Sequence, residues 1–243
     1  MDNRDKSILA GLYLSKYDIK GLSELGFNTF QEAFNIIGYS LQSKPSSIKN
    51  YRDEFDPLFP NNRKGWHNRP IREYCKKIYT EFQEIDFHSF SEIIKSLLIE
   101  NYDLQKFLKT INKDYNESIS KRQLTGKAAE EYFKKEYKNI DFFKSFELQD
   151  TTLMACGFDY KLSYDTNFYC IEVKGLSESK GSIQMTENEF NVAEKLKEKY
   201  CLFVVKNFKE KPIHDIIFNP LNSQLNFKEI KKEIIQTTYN TMI

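Results

Sequence analysis

The spacing of hydrophobic positions divides the chain into a helical first part and a mixed second part. In DKSILAGLYLSKY the apolar residues recur at roughly helical intervals, and Asp5 stands where a helix N-cap is expected. HSFSEIIKSLLIENYDLQKFLKTI has a similar helical pattern and is followed by the polar run INKDYNESISKRQ. The pattern therefore predicts a helical domain over residues 1–115, with a boundary near residues 112–123.

Two further predicted helices lie between residues 29 and 59. TFQEAFNIIGYSL begins with Thr29 three residues before Glu32, which is the spacing of a capping box. The break QSKP follows, and then SSIKNYRDEFDPLF, which has Ser46 or Ser47 as its cap. This is the outline of a helix-turn-helix, whose second helix would present to DNA the side chains of Ser46, Ser47, Lys49, Asn50 and Arg52. Two amphipathic helices joined by a proline turn have the same pattern without binding DNA, so both interpretations stay open.

A basic segment, NNRKGWHNRPIREYCKK, comes directly after this pair. From Arg63 to Lys77 it has six Lys or Arg residues against one acidic residue, Glu73. Basic residues interleaved with an aromatic suit a phosphate backbone. The candidate DNA contacts are Arg63, Lys64, Trp66, His67 and Arg69. A solvated loop whose tryptophan covers the core is the alternative.

The second part, residues 121–243, alternates between helical and strand patterns. LTGKAAEEYFKKEY and MTENEFNVAEKLKEKY predict helices. The strand candidates are FKSFEL, GFDYKLSY, FYCIEVKG, YCLFVVKNF and KPIHDIIFN, with the turn DTN between the second and third. The order helix, three strands, helix, strand predicts an α/β core with a mixed sheet. The whole chain is therefore predicted to be α+β.

Composition adds few constraints. Of 243 residues, 40% are hydrophobic and 15% aromatic, which is typical of a globular protein. The formal net charge is only +1, so a DNA-binding surface must come from local clustering of basic residues. The four cysteines form no CxxC pair, which argues against a zinc site and suits a reducing compartment. Without a recognisable signal peptide or membrane span, the chain is predicted to be soluble and cytoplasmic.

The hairpin CGFDYKLSYDTNFYCIEVKG carries the candidate chemistry. Because strand side chains alternate between faces, Glu172 and Lys174 point one way, and Asp159 lies beside Glu172 if the register brings them opposite. Adjacent carboxylates repel one another unless a cation lies between them, and oxygen ligands suit Mg²⁺, with Mn²⁺ able to substitute. Such an ion activates water and polarises a phosphodiester, while Lys174 would orient or deprotonate that water or stabilise the transition state. The alternative is the polar face of an ordinary hairpin.

The residues GFD, then twelve positions, then EVK resemble the motif of the PD-(D/E)xK nuclease superfamily, which includes many restriction endonucleases. Phe158 replaces the proline of that motif. The resemblance implies a core in the order α-β-β-β-α-β, with Asp159 and Glu172 as metal ligands. Gly126-Lys-Ala-Ala-Glu130 matches the G-x-x-x-E setting of the family's first helix and implies a further metal or water ligand at Glu130. Helical periodicity supports Glu130 over Glu131, which aligns with lysines of a solvated face.

More narrowly, residues 121–210 resemble a NO VEIN-type C-terminal domain, since the acidic helix, GFD, EVKG and T-x-N-E occur in order. As in several relatives, Gln184 is expected near the metal or the DNA backbone. Glu189 completes a capping box with Thr186, which explains it without a role in the chemistry.

The sequence thus predicts a Mg²⁺-dependent type II restriction endonuclease that cuts double-stranded DNA at a specific sequence. Because cutting both strands requires two sites, a homodimer is expected. Two alternatives stay open: a defence or repair nuclease that acts on modified or structured DNA, and a non-catalytic DNA-binding module on a nuclease-like scaffold.

Overall fold

A computed structural model describes residues 1–63, 65, 69–99 and 113–231. Within them the chain is α+β, as predicted, with a helical N-terminal region followed by a five-stranded mixed sheet. The helices are α1 (Asn3–Glu24), α2 (Phe30–Ser40), α3 (Pro45–Phe55), α4 (Glu73–Phe82), α5 (Phe87–Ile99), α6 (Lys113–Glu136) and α7 (Glu187–Leu196). The strands are β1 (Glu147–Asp150), β2 (Tyr160–Tyr164), β3 (Asn167–Gly175), β4 (Tyr200–Lys206) and β5 (Ile213–Phe218).

Helix α1 is the central helix of the N-terminal region. It begins after Asp2, whose carboxylate accepts from the Asp5 backbone N–H at 2.7 Å, so the prediction of Asp5 as the cap is wrong by three residues. Every residue from Ser7 to Ser15 is buried, because α3 and α5 pack on different sides of this segment. The helix is kinked at Asp18, where φ is +47°.

The α2–α3 pair has the predicted helix–turn–helix outline. Thr29 caps α2 and accepts from the Glu32 N–H at 3.1 Å. In contrast, α3 begins at Pro45 with Lys44 as its N-cap, so the prediction of a Ser46 or Ser47 cap is wrong. Proline suits the first helical position because the N–H that it lacks would have no partner there. Gly38 permits the tight turn, since a Cβ at this position would lie 2.8 Å from the Pro45 Cα.

The sheet has the strand order β1-β2-β3-β4-β5. The first three strands are antiparallel, β4 runs parallel to β3 after the α7 crossover, and β5 is antiparallel to β4. This confirms the predicted α-β-β-β-α-β order and adds β5 at the edge. The predicted first strand, residues 143–148, is displaced to Glu147–Asp150 because Phe143 and Phe146 turn into the hydrophobic core instead.

Helix α6 joins the two parts of the molecule. It packs against α2 on one side and β3 on the other, and it begins at Lys113, well before the predicted start at residue 124. Lys121 of this helix forms an ion pair with Glu32 of α2 at 2.9 Å. One continuous core runs from α1 to the sheet. The division into domains at 1–115 and 121–243 stays a prediction. Within the described ranges, no helix is both long and apolar enough to cross a membrane.

Candidate active site

A cleft of about 580 Å³ opens between α6, the end of β3 and the segment that leads into α7. The five residues predicted to do chemistry come from four separate parts of the chain, since Glu172 and Lys174 share strand β3. All of them line this cleft, together with residues that the sequence did not single out. The side chains that matter below are Arg122, Glu130, Asp159, Glu172, Lys174, Gln184 and Glu189.

Asp159 and Glu172 face each other across the β2–β3 hairpin. Tyr160 pairs with Ile171, and the Asp159 N–H donates to the Ile171 carbonyl at 2.9 Å, which continues the register and places Asp159 opposite Glu172. The Asp159 carboxylate accepts from the Val173 N–H at 2.8 Å, which fixes its orientation. The register condition that the sequence left open is therefore met.

Both carboxyl groups are in an environment that disfavours their charge. Glu172 is only 4% exposed. Burial raises the pKa of Glu172, and the neighbouring Asp159 raises it further. Burial likewise raises the pKa of Asp159, against the stabilising N–H of Val173. A cation that binds between two such carboxyl groups stabilises their charged forms.

Lys174 is held between two carboxylates. Its ammonium donates to Glu172 Oε1 at 2.6 Å and to Glu189 Oε2 at 2.7 Å. Burial acts to lower the pKa of Lys174, but Glu172 and Glu189 more than offset this, so its pKa is raised. Lys174 is therefore a cation in this arrangement. A charged ammonium can orient water and stabilise the transition state, which are two of the predicted roles. It cannot accept a proton, so the predicted role in deprotonating the water does not suit it.

Glu189 is the residue that sequence reasoning left out. The predicted capping box is confirmed: the Glu189 N–H donates to Thr186 Oγ1 at 3.2 Å, and Glu189 Oε2 accepts from the Thr186 N–H at 3.1 Å. The same Oε2 accepts from Lys174. The signal was present in the topology, because a β3–α7–β4 crossover brings the start of α7 close to the C-terminal end of β3, where Lys174 lies.

Glu130 on α6 and Gln184 on the segment before α7 both line the cleft. The burial of the neighbouring residue Glu131 differs from the prediction based on helical periodicity. It was expected on a solvated face, but it is only 9% exposed and forms an ion pair with Lys134. Glu130 is thus the acid of α6 that reaches the cleft, and Glu131 is a buried ion-pair partner.

The donor set fits a cation that keeps part of its water shell. Among the described residues, no three His, Cys, Asp or Glu side chains are gathered into a group that would hold a metal. The ligand role of Glu130 stays a prediction. Asp159 and Glu172 provide two hard oxygen donors. Mg²⁺ is commonly held by one or two carboxylates plus waters, whereas zinc takes Cys or His ligands in a closed tetrahedron. The two carboxylates therefore fit Mg²⁺ or Mn²⁺.

A family model described as "Protein NO VEIN, C-terminal" matches residues 126–218. The matched domain is nuclease-like. No curated protein and no solved structure gives a significant match to the chain. The matched region contains the sheet, α7 and the cleft residues from Glu130 to Glu189, and it leaves the helical N-terminal region outside. The cleft is thus part of a nuclease-like region.

The predicted base-reading helix α3 is only partly available to a ligand. Ser46, Lys49 and Asn50 are exposed and Ser47 is half-buried, and Lys49 lies 3.2 Å from Asp53. Arg52 contradicts the prediction that it faces DNA. It is 8% exposed, because its guanidinium donates to Asp53 and lies over aromatic rings of α2.

The basic segment is corrected in a similar way. Arg63 donates to Asp56 and to Asp18, so its guanidinium is part of a partly buried ion-pair cluster and does not face DNA as predicted. Arg69 is exposed. Lys64, Trp66 and His67 lie outside the residues that the structure describes, and their roles stay predictions.

Proposed function

We propose that this protein is a Mg²⁺-dependent endonuclease of the PD-(D/E)xK superfamily, of restriction type, that hydrolyses phosphodiester bonds in double-stranded DNA. One observation carries the proposal: Asp159 and Glu172 lie buried side by side, with a charged Lys174 bonded to Glu172, in a cleft of the nuclease-like region. Burial raises the pKa of both acids, and perturbed pKa values of this kind are common at functional sites.

Each residue of the cleft has a definite task in this reaction. Asp159 and Glu172 would hold Mg²⁺, which, when bound, polarises the phosphodiester and lowers the pKa of the attacking water. The Val173 N–H fixes the Asp159 carboxylate for this task. Lys174 would orient the water and donate to the negative charge that develops on the phosphate oxygens. Glu130 and Gln184, which also line the cleft, would contact the water or the DNA backbone.

The wall of the cleft also offers a contact for the DNA backbone. Arg122 of α6 is exposed and lines the cleft, and no described residue forms an ion pair or hydrogen bond with it. An exposed guanidinium beside a phosphodiesterase site suits a phosphate, which it can bind through two parallel N–H groups. We assign Arg122 to the DNA contacts. Arg122 lies outside α3 and the 63–69 segment, where the sequence predicted the DNA contacts.

A nuclease that acts on structured or modified DNA is the second candidate. The burial of Arg52 and Arg63 favours it, because two of the side chains expected to read a sequence or hold the backbone are unavailable. A nuclease that recognises the shape of DNA depends less on side chains that reach base edges. Both candidates use the same cleft, and a homodimer is part of the restriction proposal alone.

The test is cleavage of plasmid and phage DNA in Mg²⁺ and in Mn²⁺. The wild type is compared with Glu172→Ala and with Glu194→Ala, which removes an exposed acid of α7 outside the cleft. Discrete fragments from the wild type and Glu194→Ala, with at least about 100-fold less cutting by Glu172→Ala, support restriction. Cutting only of branched or methylated DNA supports the second candidate. DNA binding without cleavage in either metal would leave a binding module and overturn the proposal.

A further inference from the structure

We infer that Glu189 is a positioning residue for Lys174, in addition to its role at the N3 position of a capping box. The inference rests on the proposed function, because it assigns Glu189 a part in the same reaction. Its basis is the contact of one carboxylate oxygen, Glu189 Oε2, with both the Lys174 ammonium at 2.7 Å and the Thr186 N–H at 3.1 Å.

The charges around Lys174 show why a second carboxylate matters. The ammonium donates to Glu172 and to Glu189, and both contacts are short. In the proposed reaction Glu172 also serves as a ligand for the cation, which competes with Lys174 for the same carboxylate. Glu189 is then the acceptor that keeps Lys174 at the cleft. Without it, Lys174 would turn wholly to Glu172 and oppose cation binding.

The start of α7 holds Glu189 in the required orientation. The backbone N–H of Glu189 donates to Thr186 Oγ1, and its carboxylate accepts from the Thr186 backbone N–H, which orients the carboxylate. Capping alone does not require a charge at this position, because glutamine serves equally well in a capping box. A salt bridge to a largely buried ammonium does require one. The two roles can therefore be separated by mutation.

The decisive comparison is between Glu189→Gln and Thr186→Ala. Glu189→Gln keeps an amide oxygen for the cap and removes the charge beside Lys174, whereas Thr186→Ala removes the cap hydroxyl and keeps the Lys174 contact. We expect Glu189→Gln to lower kcat for DNA cleavage by about 10-fold or more, as is common for partners that orient a group in a metal site, with KM for DNA within about twofold of wild type. Thr186→Ala is expected to lower Tm and to leave kcat within about twofold.

A second measurement does not depend on cleavage. Titration calorimetry of the DNA-free protein with Mg²⁺ should show about 10-fold weaker binding for Glu189→Gln, because the cleft loses one negative charge, and unchanged binding for Thr186→Ala. If the wild type cuts DNA and Glu189→Gln matches it in kcat and in Mg²⁺ affinity, the inference is overturned and the proposed function stands. An equal loss of kcat in Thr186→Ala also overturns it, since capping would then be the cause. If the wild type binds Mg²⁺ but does not cut, the proposed function fails while the affinity comparison still decides on Glu189.

Discussion

The buried carboxylates of the helical region and those of the cleft differ in how their charge is balanced. In the helical region Asp56 accepts from Arg63 and Ser15, and Glu54 accepts from the side chain and the backbone N–H of Arg72. Asp56 and Glu54 thus each have an arginine of their own, and the third buried acid, Glu32, is paired with Lys121 of α6. The pKa of Arg63 is raised, first by its hydrogen bond to Asp56, which is the mark of a satisfied pair.

In the cleft, one ammonium serves two carboxylates. Lys174 donates to Glu172 and to Glu189, and Asp159 lies opposite Glu172. Burial raises the pKa of Asp159 and of Glu172. A buried carboxylate that is paired with its own cation has its charge balanced within the fold. Carboxylates that outnumber the nearby cations can bind a further cation. We expect this difference to separate structural from functional acids in one chain, and the expectation can be tested.

The largest effect is expected from Asp56→Ala. Removing this buried partner of Arg63 should lower the free energy of unfolding by about 3 kcal/mol, measured by urea denaturation, because it leaves a partly buried guanidinium short of its main acceptor. Glu172→Gln, measured without metal, is the matched variant in the cleft. It should leave the free energy of unfolding unchanged or raise it, because it removes a repulsion. A loss of similar size in both variants would erase the distinction between the two groups.

A smaller effect is expected from pH in the metal-free protein. Because the pKa values of Asp159 and Glu172 are raised on folding, the folded state binds protons more tightly than the unfolded state. Stability from these groups is fully present below the ordinary carboxyl range near 4 and is lost as pH rises through the raised values. In EDTA we expect Tm to fall across this window by about 2–4 °C for each 1 kcal/mol lost.

Added Mg²⁺ should reverse that fall at the upper end of the window, since it binds the ionised pair. Glu172→Gln provides the control, because it removes the acid with the more strongly raised pKa. Its metal-free Tm should vary less with pH than that of the wild type. A wild-type Tm that rises steadily over the same window in EDTA would contradict the raised pKa values.

The hairpin could be predicted because it depends on short-range rules. Strand alternation placed Glu172 and Lys174 on one face. The DTN turn indicated the hairpin but left its register open, and the observed pairing of Tyr160 with Ile171 places Asp159 opposite Glu172. The capping box at Thr186 was recognised from four residues. Local patterns of this kind survive in the folded protein because nothing distant competes with them.

The misplaced N-caps of α1 and α3 were local errors, and the other errors came from contacts that are more distant in sequence. Arg52 was expected to face DNA, but Phe30 and Phe34 of the preceding helix cover it. The first strand began late because Phe143 and Phe146 were drawn into the core. Glu189 was explained by its local cap, and its second partner lies fifteen residues away. A local role that suffices to explain a residue does not exclude a second one.

The smallest effect, and the sharpest test of the comparison, is expected at Arg122. Arg52, Arg63 and Arg72 are each bonded to a carboxylate, whereas no described residue pairs with Arg122. If a cation without a carboxylate partner binds DNA, as the acids of the cleft are proposed to bind a metal ion, Arg122→Ala should weaken DNA binding about fivefold. It should also reduce the slope of log K against log salt by about 1, which corresponds to one lost phosphate contact.

Lys144→Ala removes an exposed charge that lies outside the cleft and pairs with Asp141, so it should change neither quantity. Fluorescence anisotropy across a salt series, with Ca²⁺ in place of Mg²⁺ to prevent cleavage, measures both. An unchanged slope in Arg122→Ala would restrict the rule to the acids of the cleft.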